Sequence, residues 1–411
     1  MGGEVKRDEV RLLLLGSTGS IGVQTEAVIA HLNALHEAGR HPRRYRVVGL
    51  AAGRNASRLA EQAERFDVRD LALACPEADW PSTRPVRRGP HAAAALVENV
   101  EADIVLGAMV GFAGLPAMLA AVELGRTVAL ANKETLVAAG ELIVAAASRS
   151  GARLLPVDSE HSGVWQCLAA AADDPAAPPH ALAAHVRRIT LTASGGALRT
   201  WDAQRMYHAT PEEALAHPTW DMGAKVTIDS ASLTNKALEL VEAHWLFGAD
   251  ADRLGVVIHP QSIVHAFVEF LDGSTIAQLG APDMRTPIQV ALTWPGRVEG
   301  LAPALDPTRL GSLDFEAVDE ARFPALACGF EVIRRGGAAG AAFNAGNERA
   351  VEAFLAGGIP FGRIPELSGA ALDAAATGPV RDLDDVMEAD AQARTLVDEL
   401  IGPAATSRKP A

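Results

Sequence analysis

Three lysines are the residues in this 411-residue chain whose placement points most directly to chemistry. The 37 basic residues comprise 32 arginines and five lysines, yet Lys133, Lys225 and Lys236 all lie in polar, motif-like segments. A general shift towards arginine would explain the loss of lysines, but it would not explain their retention at these positions. A compact ammonium group is therefore needed there.

Two of these lysines lie in one polar segment, DMGAKVTIDSASLTNKALELVEAHWLF, which covers residues 221–247. The alternation over 225–229 predicts a short strand, and the apolar spacing over 233–247 predicts a helix. Glu239 and Glu242 lie one helical turn apart, so one edge of this helix carries carboxylates next to an amide and an ammonium.

Ser230 and Ser232 fall at the predicted strand-to-helix junction, just before Asn235 and Lys236. Helix N-termini offer unpaired N–H groups and the positive end of a dipole, so this set predicts a phosphate site. For the serines alone, an ordinary serine N-cap is the better interpretation. The amide and ammonium that follow favour the phosphate site.

A second cluster, LLPVDSEHSGVWQ over residues 154–166, places two carboxylates after an apolar strand. In an extended chain Asp158 and Glu160 would point to the same side, with His161 facing the other way. Such a pair alone is common at solvated strand ends. With Glu239 as a third carboxylate, an oxygen-rich site for Mg²⁺ or Mn²⁺ becomes the better interpretation.

The segment RLLLLGSTGSIGVQT near the N-terminus predicts a buried strand, a glycine-rich turn and a helix that begins near Val23. Gly16, Gly19 and Gly22 would let the backbone approach a pyrophosphate at the N-terminus of that helix. The spacing differs from the commoner G-x-G-x-x-G, so the strands that follow are needed to support a dinucleotide site.

The next predicted strand ends near Ala52, where an NAD enzyme would place an acidic residue for the ribose hydroxyl. This chain has Gly53, Arg54 and Asn55 there. An arginine at that point can accept a 2′-phosphate, so the cofactor is predicted to be NADP(H). The alternative for Arg54 is an ordinary surface arginine.

Two further apolar runs, residues 102–111 and 126–134, predict more parallel strands. Asn132, Lys133 and Glu134 lie just beyond the second run, at the sheet edge where ligands bind in doubly wound folds. Lys133 is therefore predicted to reach both cofactor and substrate. The alternative is a helix-start Asn followed by a solvated Lys–Glu pair.

These segments together resemble one enzyme family in order and over nearly the whole chain. The motifs are GSTGSIG, AAGRN, ANKE, PVDSEHS, TASGG, AHPTWDMGAKVTIDSASLTNKALELVEAHWLF, IHPQSIVH, GAPDMRTPIQ and NAGNE. They are similar to those of 1-deoxy-D-xylulose 5-phosphate reductoisomerases. The resemblance implies NADPH- and metal-dependent conversion of that sugar phosphate into 2-C-methyl-D-erythritol 4-phosphate, in the non-mevalonate route to isoprenoid precursors. The implied metal is Mg²⁺ or Mn²⁺, with Co²⁺ as a further candidate.

The resemblance also implies roles for individual residues. It makes Asp158, Glu160 and Glu239 the metal ligands, which with Lys133 form the catalytic set, and it places Glu242 beside the metal. The implied substrate contacts are Lys133, Ser159, Glu160, Ser194, His217, Trp220, Ser230, Asn235, Lys236 and Glu239. The implied cofactor contacts are Gly16, Ser17, Thr18, Gly19, Ser20, Ile21, Gly53, Arg54, Asn55, Asn132, Lys133, Glu134 and Gly223. Residues 214–224, with His217, Trp220 and Met222, would form a mobile flap joining a helix to a strand.

The chain departs from the family pattern at a few positions. Ala197 and Leu198 stand where TASGGPF is usual, and Gly346 replaces an alanine in NAANE. The stretch DDPAAPPH over residues 173–180 predicts a lengthened surface connection.

Composition sets further limits. The net charge of −14 argues against nucleic-acid binding, so any anion site must be built locally. Cys75, Cys167 and Cys328 are widely spaced and predict reduced thiols. With no apolar run of membrane-spanning length and no room for a signal or transit peptide, the chain is predicted to be a bacterial-type cytoplasmic enzyme that does not bind a membrane.

The predicted fold class is α/β in four parts. Residues 1–157 form a doubly wound, Rossmann-like NADP-binding domain, and residues 158–292 a central catalytic, metal-binding and dimerisation domain with an open sheet. Residues 293–319 form a linker, and residues 320–411 a small C-terminal helical domain. The open sheet is predicted to contain strands over 187–195, 224–230, 255–270 and 273–280, with a hairpin turn at 271–275, and to support a homodimer.

In the predicted mechanism the metal polarises the ketone, and Lys133 stabilises oxyanion character in both the rearrangement and the reduction. A retroaldol/aldol route and a concerted ketol shift both stay open. Two other classes also stay open: a simple NADP-dependent dehydrogenase, which would be insensitive to chelators, and a non-catalytic sensor of NADPH or sugar phosphate.

Overall fold

The computed structural model describes residues 8–172 and 176–402. These residues form two compact units, each built from segments that are not contiguous in the chain. The first unit contains the described residues up to Asn132, together with Ala145–Ser162 and Asp283–Pro303. The second contains Lys133–Val144, Gly163–Pro282 and the described residues from Ala304 onward. The four-part division given above stays a prediction.

The first unit is built on a seven-stranded parallel sheet. Its strands are β1 (Glu9–Leu15), β2 (Arg44–Ala52), β3 (Asp70–Leu73), β4 (Arg87–Arg88), β5 (Ile104–Gly107), β6 (Thr127–Leu130) and β7 (Arg153–Pro156). The order is β4-β3-β2-β1-β5-β6-β7, so the chain turns back across β1 and the order reverses between β1 and β5. This is the predicted doubly wound arrangement, whose ligand crevice lies at the carboxyl ends of the strands where the order reverses.

Burial explains the central position of β1. Leu12, Leu13, Leu14 and Leu15 are all completely buried. A continuous apolar run is typical of a strand covered on both faces, and each buried leucine contributes roughly 1.5–3 kcal/mol.

The described residues contain fifteen α-helices. They are α1 (Ser20–Glu37), α2 (Ala56–Arg65), α3 (Ala92–Asn99), α4 (Leu115–Glu123), α5 (Glu134–Ser150), α6 (Ser159–Ala170), α7 (Ala203–Tyr207), α8 (Pro211–Leu215), α9 (Ala224–Ala231), α10 (Thr234–Phe247), α11 (Arg285–Thr293), α12 (Ala325–Arg335), α13 (Ala339–Leu355), α14 (Arg363–Ala374) and α15 (Leu383–Ile401). Helix α1 begins at Ser20, three residues before the predicted start. None of the helices in the described ranges combines the length and apolar character needed to cross a membrane.

The second unit contains a four-stranded sheet and the predicted C-terminal helices. Its strands are β8 (Val186–Ala193), β9 (Leu254–Ile258), β10 (Val264–Phe270) and β11 (Thr275–Leu279), in the order β11-β10-β8-β9. The β10–β11 hairpin confirms the predicted turn, where the Asp272 carboxylate accepts hydrogen bonds from the Ser274 N–H and hydroxyl at 2.8 and 2.6 Å. The predicted strand over 255–270 is two strands, because Pro260 and the positive φ of Ser262 (52°) interrupt it.

The strand predicted over 224–230 is wrong, because these residues form helix α9. Ile228 and Ala231 pack into the core on one side of this helix. Lys225 and Asp229, four residues apart, form an ion pair of 2.8 Å. That i, i+4 spacing brings side chains together only in a helix and outweighs the local alternation.

The C-terminal helices pack through small residues. A Cβ atom at Gly346 would lie 2.6 Å from the Ala371 Cβ atom, so α13 and α14 approach closely where the family pattern has alanine. A Cβ atom at Gly340 would lie 1.9 Å from the carbonyl oxygen of Val137. At Gly369, in α14, the nearest atom would be the Cys328 sulfur at 3.9 Å.

Gly340→Ala should therefore lower the free energy of unfolding by roughly 1–3 kcal/mol, because a backbone atom has to move. Gly369→Ala is the matched control and should be neutral or slightly stabilising, since it puts a better helix former into open space. Urea unfolding of both variants measures the difference. Equal effects of the two substitutions would contradict the close approach at Gly340.

Candidate active site

The second unit brings together four of the predicted site residues, three of which surround the buried carboxylate of the fourth, Glu239. The Lys133 Nζ atom lies 2.8 Å from Glu239 Oε1 and 3.0 Å from Asn235 Oδ1. The Asn235 amide donates to Glu239 Oε1 at 2.5 Å, and the Lys236 ammonium pairs with Glu239 Oε2. Glu239 is 1% exposed, so its charge is balanced inside the protein by two ammonium groups.

Helix α10 explains this clustering. Residues 235, 236 and 239 lie within one turn of each other on its first part, as the apolar spacing predicts. The helix ends at Phe247, and its C-cap, Gly248, has a left-handed conformation (φ 60°), as is common after a helix C-terminus. Glu242 lies one turn beyond Glu239 and is completely buried.

A second group of predicted residues is centred on Ser194, which directly follows β8. The Ser194 hydroxyl lies 3.4 Å from the Ser230 hydroxyl and 2.9 Å from His217 Nε2. The Gly196 N–H also donates to Ser194 Oγ at 3.2 Å. The structure therefore brings together two predicted substrate contacts, Ser194 and Ser230, and one flap residue, His217.

The position of the serines differs from the sequence interpretation. Ser230 lies in the last turn of α9, and Ser232 is the C-terminal cap of that helix. The N-cap of α10 is Leu233, with φ 56° and no side-chain cap. The predictions of a strand-to-helix junction and of a serine N-cap are therefore both wrong. The Ser232 hydroxyl instead donates to the carbonyl oxygen of Asp229 at 3.2 Å.

The flap segment joins α8 to α9, so the predicted helix-to-strand connection is wrong. His217 Nδ1 accepts hydrogen bonds from the backbone N–H groups of Thr219 and Trp220 at 3.1 and 2.9 Å. Its proton is therefore on Nε2, which donates to Ser194. The Trp220 ring is half-buried, with its centroid 6.4 Å from that of His265, so the tryptophan is not enclosed in a core.

Asp158, Ser159 and Glu160 lie in the first unit at the start of α6. The predicted strand alternation is wrong, because β7 ends at Pro156 and α6 begins at Ser159. The Asp158 carboxylate instead accepts a hydrogen bond from the Glu160 N–H at 3.3 Å, as a helix N-cap does. The Ser159 hydroxyl donates to the Glu160 carboxylate.

His161 does not face away from Asp158, as the extended chain predicted. Its Nδ1 atom lies 3.1 Å from Asp158 Oδ1, because the first helical turn brings residues three apart to one side. The two carboxylates still lie together, with an oxygen of Asp158 and one of Glu160 within 4.8 Å. Two carboxylates this close suit a divalent cation with oxygen ligands.

The glycine-rich turn joins β1 to α1 in the first unit. The N–H groups of Gly16 and Ser17 both donate to the carbonyl oxygen of Ala51, at 2.8 and 2.9 Å. Gly16 has φ +80°, and a Cβ atom there would lie 2.3 Å from the Ala108 carbonyl oxygen. Thr18, Gly19, Ser20 and Ile21 follow on the more exposed side, at the N-terminus of an 18-residue helix. This geometry suits a pyrophosphate.

The residues after β2 lie at the N-terminus of α2. Gly53, Arg54 and Asn55 are exposed, and the Asn55 side chain caps the helix by accepting from the Arg58 N–H at 3.1 Å. Asn132 follows β6, and its amide donates to the carbonyl oxygens of Met109 and Gly111 beyond β5. Both groups lie at the carboxyl edge of the parallel sheet, where the sequence placed them.

Glu134 and Lys225 form a buried ion pair in the second unit. The Lys225 ammonium lies 3.0 Å from Glu134 and 2.8 Å from Asp229, which also accepts from Asn347 at 2.9 Å. Burial alone would lower the pKa of Lys225, but the two carboxylates outweigh it and raise that pKa. For Glu134, burial opposes ionisation, and Lys225 outweighs it and lowers the pKa.

Lys225 therefore neutralises the buried carboxylates of Glu134 and Asp229. Gly223, a predicted cofactor contact, is the exposed N-cap of the same helix, α9. Sequence reasoning missed Asp229 and Asn347 as partners. The i, i+4 spacing of Lys225 and Asp229 was the available signal.

The parallel sheet with its glycine-rich turn defines the first unit as a dinucleotide-binding fold of the doubly wound class. Three family models match the chain: 1-deoxy-D-xylulose 5-phosphate reductoisomerase over residues 12–140, its C-terminal domain over 154–247, and the DXP reductoisomerase C-terminal domain over 279–396. The chain belongs to the 1-deoxy-D-xylulose 5-phosphate reductoisomerase family.

Individual relatives agree over nearly the full length. The 1-deoxy-D-xylulose 5-phosphate reductoisomerase of Symbiobacterium thermophilum is 48% identical over 402 residues, covering 93% of this chain and 96% of that protein. The solved structure of the Zymomonas mobilis reductoisomerase in complex with NADPH has a TM-score of 0.82 and 40% identity, covering 97% of this chain and all of that one. A DOX-P reductoisomerase solved with NADPH, fosmidomycin and magnesium has a TM-score of 0.84 and 35% identity, covering 95% and 98%.

Acid should loosen the flap, because a protonated His217 cannot accept from Thr219 and Trp220. Burial lowers the pKa of His217 below its ordinary value of 6.5. The neutral ring therefore stabilises the fold above pH 6.5, and this contribution is lost as the pH falls through the lower folded-state pKa. The Trp220 fluorescence, measured as the wild-type signal minus that of Trp220→Phe, should change as the pH is lowered below 6.5.

His217→Asn is the matched control for this titration. An asparagine oxygen can accept the same two N–H groups, but it does not titrate. The Trp220 signal of this variant should be flat over the same pH range. A pH-dependent signal of wild-type size in His217→Asn would show that another group controls the flap.

Proposed function

We propose that this protein converts 1-deoxy-D-xylulose 5-phosphate into 2-C-methyl-D-erythritol 4-phosphate, using NADPH and Mg²⁺ or Mn²⁺. The observation that carries the proposal is family membership over nearly the whole chain together with the cluster of Lys133, Asn235, Lys236 and Glu239. This reaction belongs to the non-mevalonate route to isoprenoid precursors.

The proposed metal ligands are Asp158, Glu160 and Glu239. The first two present neighbouring oxygens at the start of α6, and the third is a buried carboxylate, so the donor set fits a hard divalent cation. A bound cation would supply Lewis-acid polarisation of the substrate ketone. Ser159 and Lys133 complete the group around the reacting carbons in this proposal.

The protein groups orient the substrate and stabilise charge. The Lys133 ammonium lies beside Glu239, where it can stabilise an oxyanion in both rearrangement and reduction. The hydroxyls of Ser194 and Ser230, with Asn235 and Lys236, hold the phosphate. The segment with His217 and Trp220 covers it and excludes water.

The glycine-rich turn and the N-terminus of α2 would hold NADPH, with the start of α1 facing its pyrophosphate and Arg54 facing its 2′-phosphate. NADPH supplies the hydride that reduces the branched aldehyde formed by rearrangement. Asn132, Glu134 and Gly223 complete the cofactor contacts of this proposal.

The proposal extends to a cytoplasmic homodimer. Strand β11 is the edge of the sheet in the second unit, and its side chains are half-buried or exposed, so a second copy can pack on this sheet. Cys75, Cys167 and Cys328 are free thiols, as a reducing compartment favours. Light scattering with size-exclusion chromatography tests the dimer.

The activity is tested by incubating the protein with 1-deoxy-D-xylulose 5-phosphate, NADPH and Mn²⁺ while following nicotinamide absorbance. We expect NADPH consumption that stops when a chelator is added. Consumption unaffected by the chelator would instead indicate a simple dehydrogenase. Thermal stabilisation by the ligands without consumption would indicate a sensor.

Arg54→Asp should weaken NADPH binding and relatively favour NADH, because attraction of the 2′-phosphate becomes repulsion. We expect the ratio of kcat/KM for NADPH over NADH to fall at least about tenfold. Arg69→Asp is a control with the same charge change at another exposed position of the first unit. An unchanged ratio in Arg54→Asp would remove Arg54 from the cofactor site.

Glu239→Gln should lower kcat by about a hundredfold or more and raise the Mn²⁺ concentration needed for half-maximal rate. NADPH affinity should stay nearly the same, because the proposed contacts at the glycine-rich turn and Arg54 are unchanged, although Lys133 and Lys236 lose their charged partner. Glu352→Gln, an exposed glutamate of α13, is the control and should behave as wild type. Wild-type activity of Glu239→Gln at low Mn²⁺ would exclude Glu239 as a ligand.

A further inference from the structure

A buried side-chain amide lies directly beneath the glycine-rich turn. Gln62, on α2, is 1% exposed. Its Oε1 atom accepts from the Ser17 hydroxyl at 2.7 Å, and its Nε2 atom donates to the Ser17 carbonyl oxygen at 2.8 Å. Both ends of the amide therefore bind one residue of the turn.

The amide is itself held in place. Its Nε2 atom also donates to the carboxylate of Glu26, a residue of α1 that is 2% exposed. Arg65 pairs with the same carboxylate at 2.9 Å, and Arg58 lies 3.5 Å from it. A carboxylate paired with two arginines holds the donor end of Gln62 and fixes the direction of its acceptor end.

The backbone of the glycine-rich turn is also restricted by close packing against α1. The Ser17 carbonyl oxygen faces Gln62 on one side and the Cα atom of Gly22 on the other, where a Cβ atom would lie only 2.3 Å away. Ser17 is completely buried, whereas Gly19 and Ser20 are exposed. The Ser17 side chain thus faces inward, and the exposed half of the turn presents the N–H groups at the start of α1.

We propose that Gln62 is a positioning residue for the cofactor, because it fixes the turn that binds the pyrophosphate. This inference rests on the proposed function, in which NADPH binds there. The pyrophosphate is common to NADPH and NADH, whereas the 2′-phosphate belongs to NADPH alone. Gln62 therefore controls affinity for both cofactors equally, in contrast to Arg54.

The test measures the Kd of NADPH and of NADH for the wild type and for Gln62→Met, which has a similar length and no amide. Both Kd values should rise about tenfold, since two buried polar groups of Ser17 lose their partner. The Kd ratio of the two cofactors should stay within about twofold of wild type, and so should kcat at saturating NADPH and the KM for the sugar phosphate.

Asn33→Leu is the matched control for a purely structural effect. Asn33 is another partly buried amide in the first unit, on α1, and it makes two hydrogen bonds to the Tyr45 backbone at 2.8 and 2.7 Å. This variant should lower Tm without changing either Kd, because it lies more than three helical turns from the glycine-rich turn. Ser17→Ala removes one bond to Gln62 and should raise both Kd values about threefold.

Three outcomes would overturn the inference. One is a Gln62→Met protein with lowered Tm and unchanged Kd values, like Asn33→Leu. Another is a rise in Kd for NADPH but not for NADH. If Gln62→Met does not fold, unchanged Kd values in Ser17→Ala would have the same meaning. Failure of the wild type to bind NADPH would instead contradict the proposed function, so the two failures are distinguishable.

Discussion

The buried carboxylate of Glu239 and its two ammonium partners set the main constraint on the second unit. A buried charge must be paired, and Lys133 and Lys236 pair it from two different parts of the chain. The next residue, Glu134, pairs with Lys225 of α9. At the start of α5, the Lys133 ammonium binds Glu239 of α10 and the Glu134 carboxylate binds Lys225 of α9. Charge pairing therefore aligns three helices. These pairings account for lysine at three positions in a chain with 32 arginines and five lysines.

Both pairings use the small size of the ammonium group. Lys225 contacts two carboxylates, 3.0 and 2.8 Å away, and Lys133 contacts an amide and a carboxylate. Arginines of this chain also pair with two carboxylates, as Arg394 does with Glu348 and Asp390, but the planar guanidinium is larger than the ammonium that fits between these buried groups. The same feature suits catalysis, because an ammonium already held beside Glu239 needs little reorganisation to stabilise a developing oxyanion.

Sequence patterns predicted the elements that depend on local physics. Four elements could be predicted from local sequence: the buried leucine run of β1, the glycine-rich turn, helix α10 and the β10–β11 hairpin. Each of them follows from the spacing of apolar residues, the conformation of glycine or the residue types that favour a turn. The prediction of a strand over 224–230 was wrong because it rested on the alternation of Val226 and Ile228. The ion pair of Lys225 with Asp229, four residues apart, forms in a helix and decided the structure. The alternation of Asp158 and Glu160 failed because α6 begins between them.

Hydrogen-bond partners that are distant in sequence could not be predicted from local sequence patterns. Gln62 lies 45 residues from Ser17, and Asn347 lies 118 residues from Asp229, yet each supplies a buried amide to a group that would otherwise lose a hydrogen bond. Such amides matter because this chain, with a net charge of −14, has to build its anion sites locally. In the proposed function, oriented N–H groups at the start of α1 and Arg54 supply the positive potential for the cofactor, so residues that fix those dipoles would affect binding without touching the ligand. On that proposal, anion affinity in a chain of this charge depends on buried neutral amides such as Gln62 as well as on the cations that sequence motifs reveal.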